Sequence, residues 1–105
     1  MEEALIERFN SYIERGERLM GESRYDEAFE AFLDALKALG VLIVYRETGM
    51  LVPAERLVGF LGKYPELEEA VKKYSSLTGN EETARSLREE LEKLKGMMSL
   101  PSSER

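Results

Sequence analysis

The residues with the clearest chemical potential are the carboxylates Glu27, Glu30 and Asp34, which follow one another at helical spacing just after Asp26. Carboxylates hold hard cations, but Mg²⁺ and Ca²⁺ need oxygens that converge from several elements. A row along one helix face points outward in parallel and does not converge. Asp26, Glu27, Glu30 and Asp34 therefore read as a solvated acidic face, and as a candidate docking surface for a basic partner. Gly59 and Gly62 flank Phe60-Leu61 and are followed by Lys63, but the short glycine spacing and Tyr64 after the lysine do not match the pattern of a phosphate loop. Tyr12, Tyr25, Tyr45, Tyr64 and Tyr74 fall mostly at core-facing positions, where a ring packs rather than stacks on bases.

What is missing narrows the chemistry further. The chain has no cysteine, which removes thiolate nucleophiles, disulfides, zinc knuckles and iron–sulfur sites together. It also has no histidine, the side chain that most often serves as general base or transition-metal ligand near neutral pH. No catalytic residue, cofactor site or metal site is assigned, and no enzymatic activity is expected.

The net charge of −6 sits almost wholly at one end. Residues 1–34 hold 10 acidic and 4 basic side chains, whereas residues 35–105 hold 11 of each. Nucleic-acid binding calls for the opposite sign and is not expected. The start Met1-Glu2-Glu3-Ala4 is acidic where a secretory leader is basic, and no apolar run reaches the length of a membrane span. A cytoplasmic protein is the expectation. Glutamine is absent and Glu, Lys and Arg are abundant, a balance associated with proteins of thermophiles.

These residues are carried by helices. From Glu2 to Gly21, Leu5, Ile6, Phe9, Tyr12, Ile13, Leu19 and Met20 recur at steps of three and four. Gly16 shares their inward face and marks a close crossing with the second helix, on which Ala28 is the small counterpart. The second helix starts at Ser23 as N-cap and buries Tyr25, Ala28, Phe29, Phe32, Leu33, Leu36 and Leu39. Apolar residues then run unbroken from Val41 to Tyr45. Either the helix continues, buried on all sides, to a stop at Gly49, or Val41–Tyr45 and Met50–Val52 form a hairpin. A lone two-stranded hairpin is marginal in water, which favours the continuous helix.

Pro53 opens a short third helix and Pro65 a fourth that ends before Gly79. The fifth runs from Asn80 or Glu81 to Lys95, with Arg85–Glu89, Arg88–Glu92 and Glu89–Lys93 as expected i, i+4 pairs. Its apolar line, Ala84, Leu87, Leu91, Leu94 and Met98, is a narrow seam of coiled-coil type and a candidate surface for self-association as a homodimer. Residues 1–98 thus form one all-α domain of about five helices, followed by a tail at 99–105.

Two family resemblances follow. Residues 9–42 resemble one tetratricopeptide (TPR) helix pair, with Tyr12 and Gly16 matching its first helix and Tyr25, Ala28, Phe32 and Ala35 its second. The unit does not recur and lacks the closing proline, so the resemblance implies an antiparallel hairpin rather than a repeat array. Glu7 to Leu77 also resembles the layout of HEPN domains. Catalytic members of that family carry an arginine and a nearby histidine, and with no histidine here the resemblance implies only a bundle that pairs. The functional expectation is a non-catalytic protein-interaction or self-association module. An inactive HEPN-like accessory to RNA or nucleotide handling, and a bundle holding a small apolar ligand, are the alternatives.

Overall fold

A computed structural model describes residues 1–98, and the expected tail at 99–105 lies outside the described residues. Four α-helices and one 3₁₀ helix follow in the order α1 (Glu2–Gly21), α2 (Tyr25–Thr48), the 3₁₀ helix Ala54–Phe60, α3 (Pro65–Ser75) and α4 (Glu81–Met97). There is no strand among the described residues. The apolar run from Val41 to Val44 is the last part of α2 and is buried throughout, so the hairpin alternative falls away.

The reason is the position of α2 at the centre of the bundle. It packs on α1, α3, α4 and the 3₁₀ helix, and where its neighbours enclose it, over residues 38–44, it is apolar around its whole circumference, while its first half keeps Asp26, Glu27, Glu30 and Asp34 exposed. Gly49 ends it in the left-handed region at φ 75°, with its N–H donating to the Tyr45 carbonyl at 2.8 Å. That single cap bond is the usual αL stop, and glycine takes the conformation without a Cβ penalty.

Two glycines let neighbours close on α2. A Cβ on Gly16 would lie 2.5 Å from the Phe32 ring, and one on Gly40 would lie 2.5 Å from a Leu57 methyl. The first contact sets the α1–α2 crossing, and it is an aromatic ring rather than a backbone that fills the space. The second seats the 3₁₀ helix on α2, where the sequence had suggested only a possible stop. At the far end of the hairpin, Arg46 Nε donates to Glu2 Oε2 at 3.0 Å. The step from Gly16 back to Glu2 equals the step from Phe32 on to Arg46, so one antiparallel register runs the length of the pair.

The α1–α2 turn departs from expectation. Ser23 is not a cap: its own N–H donates to Met20 O at 3.0 Å, its φ is 60°, and Arg24 takes the N-cap position without a side-chain cap bond. Chain reversal so soon after α1 uses Ser23 for the left-handed step, and its hydroxyl accepts from the Tyr25 hydroxyl at 3.4 Å rather than from a backbone N–H of the new helix. The start of α4, by contrast, is a full capping box. Asn80 Oδ1 accepts from Thr83 N, and Asn80 N donates to Thr83 Oγ1, both at 2.9 Å.

Candidate functional site

The α4 seam is part of the core. Ala84, Leu87, Leu91 and Leu94 are buried, chiefly against α2, and Met98 is half-buried beside them. A seam as wide as one facing helix has found that helix within its own chain and is not open to a second copy. Polar contacts fix α4 in place on both sides. Arg88 Nε meets Glu17 of α1 at 2.8 Å, and the Tyr74 hydroxyl of α3 lies 2.6 Å from Ser86 Oγ. The arginines of α4 do not make the expected pairs toward the helix C-terminus. Arg85 reaches back to Glu81 at 2.8 Å, following the tilt of helical side chains toward the N-terminus, and Arg88 leaves its own helix for α1.

The acidic row is exposed at all four positions, but it is not uniform. Glu27 is held by Arg24, whose Nη2 donates to it at 2.7 Å, and Asp26 Oδ1 accepts from Glu27 N at 2.9 Å. Asp34 belongs to a separate cleft. Gly16 and Ala28 are buried within the core, Gly16 beneath the Phe32 ring. Of the tyrosines, Tyr74 is buried and the other four are half-buried.

Three groups titrate away from their ordinary values. Arg24 is pushed up by its hydrogen bonds to Glu27 and Glu22, and Arg85 by its hydrogen bond to Glu81. Tyr64 is pushed up by burial and by the charge of Glu47. All three shifts hold the group in its usual protonated form at neutral pH, so none of them creates a poised base.

What the periodicity did not reveal lies between α2 and α3. Six large apolar side chains are exposed among the described residues, and three of them, Met50, Leu51 and Phe60, come from this one connection, at 48%, 55% and 43%. Met50 and Phe60 both adjoin Thr48: the Met50 N–H donates to Thr48 Oγ1 at 3.0 Å, and Phe60 and Thr48 line a shared depression with Val44 and Tyr64. Isolated exposed hydrophobes are ordinary, whereas neighbouring ones form a surface for contact. The only hint in the sequence was a set of apolar residues at no regular period between Gly49 and Gly62.

A second feature opens on the other side of the same connection. A cleft of about 410 Å³ lies between α1, α2 and the loop over α2, lined by Leu5, Arg8 and Tyr12, by Asp34, Lys37, Ala38 and Val41, and by residues 51–54. Among the described residues no cluster of His, Cys, Asp or Glu is arranged to hold a metal ion. No described helix is long and apolar enough to cross a membrane.

Comparison with protein-family models, with curated proteins and with solved structures gave no match in any of the three. The functional reading therefore stands on these surfaces.

Proposed function

We propose that the protein is a non-catalytic helical interaction module that pairs with a second copy through the exposed apolar surface at Met50, Leu51 and Phe60. The observation that carries this is the concentration of three exposed large apolar side chains in one short connection, on a molecule whose other helices have closed over their apolar faces. The same stretch carries charges of both signs. Glu47 and Lys63 approach to 3.8 Å, and Glu55 and Arg56 stand exposed between them in sequence. A two-fold contact sets one patch against itself, so it needs such a self-complementary rim.

The same proposal places the protein in the cytoplasm, on its composition, and in a heat-adapted cell. The TPR-like reading of residues 9–42 draws support from the Gly16–Phe32 crossing, because both residues are positions of that pattern. Light scattering on the intact chain and on Met50→Glu with Phe60→Glu tests the interface. A dimer that becomes a monomer with unchanged helicity is the expected result. An intact chain that is monomeric at high micromolar concentration ends the proposal.

A further inference from the structure

The cleft between α1 and α2 has a polar and an apolar end. In the shared antiparallel register Tyr12 lies opposite Leu36, between Asp34 and Lys37, Arg8 lies opposite Gly40, between Lys37 and Val41, and Leu5 lies opposite Ile43, just beyond Val41. Asp34 to Val41 spans seven helical steps, or about 10 Å. The apolar end is bounded by Leu5, Val41 and Val52, with Leu51 and Pro53 from the loop. Its volume of about 410 Å³ falls in the range of roughly 300 to 1,000 Å³ typical of small-molecule sites.

The charges at the mouth are the second observation. Neither Arg8 nor Lys37 takes part in an ion pair among the described residues, and Asp34 pairs with neither. Arg8 is one of only four basic residues among the first 34, where acids number ten. Two uncommitted cations border one cleft on a face that is otherwise acidic, and Asp34 reduces the mouth to a net charge of one. A guanidinium pairs with a carboxylate in two parallel hydrogen bonds, whereas Asp34 repels a second negative charge and so disfavours a dianion such as phosphate.

We propose that this cleft binds a small amphipathic carboxylate, a monoanion whose head meets Arg8 and Lys37 and whose apolar chain lies along Leu5, Val41 and Val52 beneath the loop. The cleft shares Leu51 with the proposed pairing surface but not Met50 or Phe60, so Met50→Glu with Phe60→Glu tests pairing while leaving the cleft lining intact.

The test is a titration of the full chain with octanoate, kept below its micelle-forming concentration, followed by amide chemical shifts. Octylammonium is the matched cation. Octanoate is expected to give saturable shifts centred on Tyr12, Ala38, Val41 and Val52, with at least tenfold tighter binding than octylammonium. Arg8→Ala with Lys37→Ala removes an exposed and a half-buried cation, and should weaken octanoate binding at least tenfold while the circular-dichroism spectrum stays the same. Ala38→Leu, which fills the floor of the cleft, should weaken both probes. No saturable shift, shifts centred on Phe60, equal affinity for the two probes, or a double variant that binds octanoate as before would each overturn the proposal. So would shifts at Tyr12 and Ala38 in Met50→Glu with Phe60→Glu that grow with protein concentration alone, because they would put a second copy in the cleft.

Discussion

The α4 seam and the Met50–Phe60 connection contain similar side chains and have opposite fates. The seam is regular, and its four innermost residues are buried against α2; the connection buries Leu57 and Leu61 but leaves Met50, Leu51 and Phe60 in solvent. Regular spacing shows that a face must be covered, and it leaves open whether the cover comes from the same chain. In a bundle whose central helix has an apolar second half enclosed by its neighbours, the supply of partners is internal. Three of the large apolar side chains left in solvent, Met50, Leu51 and Phe60, lie outside the four α-helices.

The largest effect should come from breaking the seam. Leu87→Lys with Leu91→Lys places two charges in the core, and the chain should unfold rather than dissociate, read as loss of helical circular dichroism. Even Leu87→Ala alone should cost about 2 to 5 kcal/mol in a denaturant melt, as for other fully buried leucines. A stable double variant with only its mass changed would return the seam to the surface.

Gly16→Leu is next in size. The new side chain would meet the Phe32 ring, and overpacking of this kind typically costs about 1 to 3 kcal/mol. A neutral or raised melting temperature would show that the α1–α2 crossing has room to spare. Asn80→Ala removes one side of the capping box and should cost about 1 kcal/mol, measured by urea unfolding. Thr83→Ala should act through the same box, so the double variant should lose less than the two single losses added together.

The smallest stability effect belongs to the open region. Leu51→Ala should change folding stability by no more than about 0.5 kcal/mol, the range for exposed positions, yet it should weaken pairing in sedimentation at graded concentrations. A large loss of stability would mean that the loop is part of the core, and the contrast between the two regions would fail.

Most of the architecture was legible because it follows from period and punctuation. The steps of three and four gave α1, the unbroken run at Val41–Val44 is what a central helix requires, and Gly49, Pro53 and Pro65 mark real boundaries. Local chemistry was less legible where geometry decides it. Ser23 looks like a cap by residue type, but the tightness of the α1–α2 turn forces it to φ 60°. The i, i+4 partners written for Arg85 and Arg88 ignored the lean of helical side chains and the nearness of Glu17. Candidate sites were the least legible. The cleft joins Leu5, Lys37 and Val52, residues from three separate stretches whose meeting depends on the register of two helices and the path of a loop.

The central position of α2 also matters while the chain is being made. Synthesis delivers α1 first, and α2 can fold back on it at once through the Gly16–Phe32 crossing. The face of α2 that receives Leu87, Leu91 and Leu94 has no cover until α4 has left the ribosome. For that interval the nascent protein is a hairpin with one oily side, the kind of species that chaperones hold and that aggregates when they do not. A chain truncated before Glu81 would keep that oily side permanently, so truncation there should yield insoluble product rather than a smaller folded domain.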